Sequence, residues 1–259
     1  MPNHTSTILE IRGKDDRVQE CVKFVSSVDK KGKSCPFDCD KVVPMPKELL
    51  GISSPVQIVS PEEYEKAVLA SVKSGPVELP LTKELQEKYL KDYGADNWYD
   101  FALKRWGSKW GAYDHDKWNI TQEGKATVAT LFFMSAWSPV IPTINALAKK
   151  YQDLDFSLKY ADEGGSFLGI THWPKGCKAK QTNYNWKSEA GILLLAELGI
   201  HNEDEEDVPK KVKKVKKVKK CKERGIAYNC DSKAATNVLK FCKLCYLKKL
   251  GKIKEAKND

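Results

Sequence analysis

The sequence predicts an α+β domain over residues 1–200, and three observations carry that prediction. Residues 5–12 set apolar Ile8 and Ile11 among polar neighbours and stop at Gly13, which reads as a strand. Residues 15–28 place Val18, Cys21, Val22, Val25 and Val28 at three- and four-residue spacing, with Asp15 and Asp16 at the positive end of the resulting helix. Residues 126–136 are apolar and β-branched enough for a buried strand. Ser138 through Lys150 then sets Ile141, Ile144, Leu147 and Ala148 along one side of a helix.

The remaining elements fill in around these. Residues 37–43 read as a second strand, ended by Pro44-Met45-Pro46, because each proline removes a ladder donor and biases its predecessor toward extended backbone. Residues 47–80, with Pro55, Pro61, Pro76 and Pro80, form a connecting segment with one helix over 61–74, where proline suits the first turn. Residues 82–106 are helical in pattern and hold Tyr93, Trp98, Tyr99, Phe101 and Trp106; Trp110, Tyr113 and Trp118 crowd the loop that follows. Residues 156–160 and 166–173, separated by Asp162-Glu163-Gly164-Gly165, read as a hairpin, and 188–200 as a short apolar helix. Strand, helix, strand, long insertion, strand, helix, strand is the split βαβ order of a ferredoxin-like sandwich, here with a helical, aromatic-rich insertion.

Charge divides the chain. The net of +9 conceals 26 basic against 31 acidic side chains over residues 1–207, a net of −5, and 18 against 4 over 208–259, a net of +14. The basic surface therefore belongs to the tail. We read residues 201–220 as an acidic-then-Lys-rich linker and 221–259 as a small basic Cys-containing tail domain. No apolar run is long enough for a membrane span and no signal peptide is evident, so the sequence predicts an intracellular protein of cytoplasm or nucleus, or a virion component, with no membrane partner. In a reducing compartment the eight cysteines read as thiols or metal ligands.

Several motifs resemble one family in its own order. Met1-Pro2-Asn3-His4 before a strand, Phe37 through Val42-Val43-Pro44-Met45-Pro46, Tyr93-Gly94 with Trp98-Tyr99, and Trp106-Gly107-Ser108-Lys109-Trp110 are four of them. Ala136-Trp137-Ser138-Pro139, and Tyr160-Ala161-Asp162-Glu163-Gly164 with Phe167-Leu168-Gly169, complete the set. Over residues 1–175 the chain resembles the YubB-type ferredoxin-like domain family of phages, viruses and mobile elements. It departs from that pattern at Thr5-Ser6-Thr7, and the stretch from Cys177 onward lies outside the resemblance. The resemblance implies a fold; an activity has to be argued from a site.

The candidate cleft comprises Trp98, Trp106, Lys109, Trp110, Trp137 and Glu163. Large aromatics most often fill cores, with the indole N–H on an acceptor. The functional alternative is a groove in which rings stack on bases while Lys104, Arg105 and Lys109 meet phosphates, and a mixed outcome has some rings packed and one or two facing out. For an enzyme, Asp114, His115 and Asp116 near the tryptophan-rich loop, and Asp162, Glu163 and His172 near the hairpin, supply carboxylates and imidazoles. The chain has no phosphate-binding glycine loop, nucleophile elbow or paired-His metalloprotease motif, so a solvated polar loop is the plainer account of those residues.

In the tail, Val212, Val215 and Val218 recur every third residue, a spacing that drifts around a helix and builds no apolar stripe. Lys210, Lys211, Lys213, Lys214, Lys216, Lys217, Lys219 and Lys220 repel one another until phosphates neutralise them, and with Arg224 they form the predicted nucleic-acid-binding segment. A nuclear import signal and a solvated charge run are the other readings. Cys221, Cys230, Cys242 and Cys245 suffice for a tetrahedral zinc site or stand as free thiols in a helical tail. Residues 222–229 are similar to a segment of some HNH and endonuclease VII-like phage nucleases; no His follows Cys230, so the segment reads as a binding remnant.

The sequence thus predicts a viral or mobile-element recognition or interaction module, anchored to DNA or RNA by its basic tail. Its rivals are a virion or assembly component whose tail touches genome or an acidic viral protein surface, and an enzyme with its site in the aromatic cleft.

Overall fold

The computed structural model describes residues 3–28, 32–74 and 78–200. Strand β1 (His4–Gly13) lies between β6 (Ala126–Ala136) and β7 (Asp155–Asp162), antiparallel to both. Leu9 faces Leu131 on one side and Leu158 on the other, and Ile11 faces Ala129 and Phe156. Residues opposite one another share a sheet face, so these side chains form one apolar surface. Helix α1 (Asp15–Val25) covers it with Val18, Cys21 and Val25, and α6 (Ile141–Lys150) with Ile144 and Leu147, all of them buried.

Strands β6 and β7 are parallel to each other, joined through α6, with β1 inserted between them: a split βαβ unit. On the outer side of β6 lies β5 (Asn119–Glu123), paired from Asn119 opposite Thr130 to Glu123 opposite Ala126. The run β5, β6, β1, β7 with α1 and α6 on one face is the ferredoxin-like arrangement, and the α+β fold class expected from sequence is the one observed. Strand β4 (Ala112–Tyr113) pairs the other end of β6, while β8 (Leu168–Trp173) and β9 (Lys180–Asn183) extend the sheet past β7.

Two expectations are corrected here. Residues 37–43 form no strand: α2 (Cys39–Val42) is a single helical turn, opened by Asp38, whose carboxylate accepts from the Asp40 N–H at 2.9 Å. Phe37 and Cys39 are buried beside it, Phe37 stacking on Phe133 at 5.4 Å, and these two buried residues imitate strand alternation. The second strand of the motif is β5, so the insertion runs from the end of α1 to residue 118. Helix α1 also ends at Val25, three residues early. Ser26 is extended, its hydroxyl bonded to the carbonyls of Val22 and Pro36, and β2 (Ser27–Val28) pairs with β3 (Ser34–Cys35), leaving Val28 exposed.

The insertion has its own small core of Leu49, Ile52, Leu81, Tyr89, Ala95 and Phe101. Helix α3 (Pro61–Ser74) is where the proline places it, and α4 (Lys83–Tyr93) runs from a Thr82 cap to Gly94 in the left-handed region. Helix α5 (Trp98–Phe101), capped by Asn97, passes into a π-turn over Ala102–Trp106 that stops at Gly107, φ 88°. Helix α7 (Glu189–Glu197), capped by Ser188, reaches the sheet through an ion pair between Glu197 and the buried Lys159 of β7. None of the described helices is long and apolar enough to cross a membrane. The tail residues singled out above, Lys210 to Lys220, Arg224, Cys221, Cys230, Cys242 and Cys245, lie outside the described residues.

Candidate functional site

Motifs far apart in the chain meet at the end of the sheet where β1 begins and β6 and β7 finish. Gly107 turns the chain out of the π-turn, and Ser108, fully buried, locks the loop to the end of β6: its hydroxyl donates to the Ala136 carbonyl at 3.1 Å and accepts from the Ala136 N–H at 3.0 Å. Ser138 donates to the Gly107 carbonyl, and Thr143 of α6 to the Trp106 carbonyl at 3.1 Å. These bonds set Lys109 and Trp110 beside Trp137.

The Lys109 ammonium lies 5.2 Å from the centroid of the Trp110 ring, 5.5 Å from Trp137, 5.5 Å from Tyr99 and 5.8 Å from Trp98. All four distances fall within cation–π reach. Trp110 and Trp137 lie 5.8 Å apart, tilted by 36°, and are 48% and 43% exposed. Trp137 holds φ at 62°, a region that costs a bulky side chain energy, and its N–H donates to the Asn3 carbonyl at 2.9 Å.

The patch continues across β1. Tyr113 packs edge-on to Trp110 and lies 2.8 Å from His4 Nδ1. Burial, with the charges of Asp114 and Glu163 adding to it, raises the pKa of the Tyr113 hydroxyl and keeps it protonated. The Glu163 N–H donates to the His4 carbonyl at 2.9 Å, and the Glu163 carboxylate accepts from the His4 N–H at 2.8 Å.

Of the six cleft candidates, Trp98, Lys109, Trp110 and Trp137 are brought together, and Glu163 closes the far side by way of His4 and Tyr113. Trp106 is elsewhere: its indole N–H donates to the Val43 carbonyl at 2.8 Å and its ring bridges the two cores. Arg105 and Lys104 bond the carbonyls of Tyr93 and Gly94, which caps α4.

The acid–base candidates do not converge. His115 points to the opposite sheet face, with Nε2 2.9 Å from the Phe37 carbonyl and its ring against Phe133; desolvation lowers its pKa below the ordinary value. Asp162, buried, accepts from the Ser166 N–H and ties the hairpin turn, and Asp114 and Asp116 are exposed. His172 lies on β8 opposite Ser157 and Lys180. Among the described residues no group of three or more His, Cys, Asp and Glu could hold a metal ion.

Beside the cage, residues 54–56 and the start of α5 border an open depression of about 620 Å³ that includes Trp98, Tyr99 and Lys109 in its wall. Asp96, 7% exposed, accepts from Gln86 Nε2 and Asn97 Nδ2, each at 2.8 Å, and Asn97 Nδ2 also donates to Asp100 at 3.1 Å. Sequence reasoning missed this depression, while Tyr99, one of the aromatics it weighed between core and cleft, completes the cage. The available signal was Asp96-Asn97 directly before an aromatic helix start, a capping pair.

The family model agrees with the sheet. Residues 117–207 match the family model described as the ferredoxin-like domain in Api92-like protein. The match spans β5, β6, α6, β7, β8, β9 and α7. A crystal structure of the protein api92 from Yersinia pseudotuberculosis is similar at 10% identity and a TM-score of 0.38, over 71% of this chain and 99% of that one. No curated protein matches the chain.

Proposed function

We propose that this protein is a viral or mobile-element recognition module that holds single-stranded nucleic acid on the Trp110 and Trp137 surface. The Lys-rich segment from Lys210 to Lys220 adds phosphate affinity. The YubB-type assignment, which rests on the order of the motifs, belongs to the same proposal. The observation that carries the reading is the pair of half-exposed indoles around the Lys109 ammonium, one of them held at positive φ. A core tryptophan needs neither the exposure nor the strain. Unpaired bases offer a π-face to such a surface and a phosphate to its cation, and each stacked base contributes about 1–3 kcal/mol. The enzyme alternative loses support because His115 faces away from the cleft and Asp162 is committed to a turn.

The test is binding of single- and double-stranded DNA and RNA across a salt series. It compares the full chain, a full-length variant with the eight lysines replaced by glutamine, and the Trp110→Ala/Trp137→Ala variant. The glutamine variant should lose affinity and most of the salt slope for every nucleic acid. The tryptophan variant should bind single strands at least about tenfold more weakly and duplex unchanged. Parent-like single-strand binding by the tryptophan variant would overturn the reading.

A further inference from the structure

The sheet has an unpaired edge along β5. This strand bonds β6 and no other strand, no further backbone bond among the described residues reaches it, and all five of its residues are exposed, Ile120 by 38%. The turn between β5 and β6 fixes which groups lie on that edge. It has two residues, Gly124 at φ 64° and Lys125, which is not at positive φ, with Glu123 opposite Ala126; this is the form of a type II′ hairpin. In such a turn the Glu123 carbonyl accepts from the Ala126 N–H, and the bonded pairs alternate from there, Thr121 with Val128 and Asn119 with Thr130. The Asp116 N–H, donating to the Phe132 carbonyl at 3.0 Å, keeps the same alternation on β6. The backbone N–H and C=O groups of Ile120 and Gln122 therefore point outward, away from β6.

Proteins blunt such edges with proline, a bulge or a lysine. The opposite edge, β9, opens with Lys180, whereas β5 has none of the three and carries the β-branched Ile120 and Thr121 in an unbroken register. This edge is also complementary to itself. When a second β5 is set antiparallel to it about a two-fold axis through Thr121, Ile120 faces Gln122 of the second copy, and each such pair exchanges both of its outward backbone bonds. The two Thr121 side chains then form the close pair on the axis, a favourable cross-strand combination, and Asn119 faces Glu123, an amide opposite a carboxylate. We propose that β5 is a self-association edge, through which two copies of the chain join their sheets into one. An edge contact of this size makes a weak, concentration-dependent dimer. The pairing stands apart from the nucleic-acid reading, because β5 includes none of the cleft residues.

The test is the mass of the full chain by sedimentation, from about 1 µM to about 1 mM, in salt high enough to strip nucleic acid from the basic tail. The parent should pass from monomer toward dimer within that range. Ile120→Pro removes an outward N–H and leaves the bonds to β6 in place, and Thr121→Lys sets like charges opposite each other on the axis. Each should raise the dissociation constant at least about tenfold and leave the circular dichroism unchanged. Thr121→Cys supplies a positive readout, since a Cα separation of about 4.5 Å in such a pair suits a disulfide. Mild oxidation should link two copies through that position, and peptide mass spectrometry tells this link from any made by the chain's own eight cysteines. A parent that stays monomeric across the range overturns the pairing and leaves the edge to an extended segment of another protein. A dimer that neither substitution weakens, with no link through position 121, overturns it as well and puts self-association elsewhere on the chain.

Discussion

Trp110 and Trp137 lie 5.8 Å apart on opposite sides of one β-pairing, Trp110 just before β4 and Trp137 just after β6. Their contact is a consequence of register. Ala112 pairs with Ser135 and Tyr113 with Met134, so the residue two before β4 and the residue one after β6 emerge at the same sheet end. The reciprocal Ser108–Ala136 bonds remove the remaining freedom.

The strain at Trp137 sets apart two substitutions that a contact count would rank together. Trp137→Ala loses the ring packing and keeps a Cβ at φ 62°, whereas Trp137→Gly loses the same packing and relieves the backbone. The glycine variant should be more stable than the alanine variant by about 1 kcal/mol in urea unfolding. An alanine variant equal to or better than glycine would mean that the positive φ stores no strain.

Gly107 is the position on which the loop depends most. It has φ 88°, and a Cβ there would sit 2.4 Å from Pro142 Cδ and 2.9 Å from the Pro139 carbonyl oxygen, a ring and a backbone group with little room to give. Gly107→Ala should cost about 3 kcal/mol through overpacking and an unfavourable φ together. Because the same turn positions Lys109 and Trp110, the tryptophan emission should shift as well. A variant with parent stability and emission would place the loop's rigidity elsewhere.

Much of the architecture was readable in advance, and the failures share a cause. Helix α3 begins at Pro61 and β6 spans 126–136 as expected, because proline and a long β-branched apolar run each restrict the backbone locally. Strand β5 was invisible: its five residues are all exposed, so no alternation marks them, and the ladder with β6 alone makes them a strand. At 37–43 burial of Phe37 and Cys39 mimicked a strand that the Asp38 cap converts to a helical turn. The site was half visible for a related reason. Trp106 and Trp110 are equally aromatic in sequence, but Gly107 and Gly111, both at positive φ, reverse the chain around them, sending one indole to Val43 and the other to solvent.

Lys109 offers a direct measure of the cage. Methionine preserves the aliphatic stem and removes the charge that four rings attract. Lys109→Met should therefore destabilise by roughly 1 kcal/mol, the scale of cation–π contacts at a partly exposed site. Lys109→Glu sets an anion against the negative ring faces and should lose more than methionine does. Unfolding midpoints in urea at low and high salt check both, and a methionine variant as stable as the parent would show that the rings hold the stem alone.

His115 governs a pH dependence whose sign follows from its burial. Desolvation between Phe133 and the Phe37 carbonyl lowers its pKa in the folded chain below the ordinary value of about 6.5, outweighing the backbone bond and the nearby Asp114 and Asp38 charges that favour the cation. The Phe37 oxygen can only accept, so Nε2 carries the proton in the neutral ring. As pH falls through about 6.5 the unfolded chain takes up a proton that the folded chain does not, and stability declines until the folded pKa is reached. The contribution is thus fully present above the unfolded value and lost below it. His115→Gln, which can still donate to Phe37, should flatten the stability profile between pH 7 and pH 5 relative to the parent. An unchanged slope would assign that titration to another group.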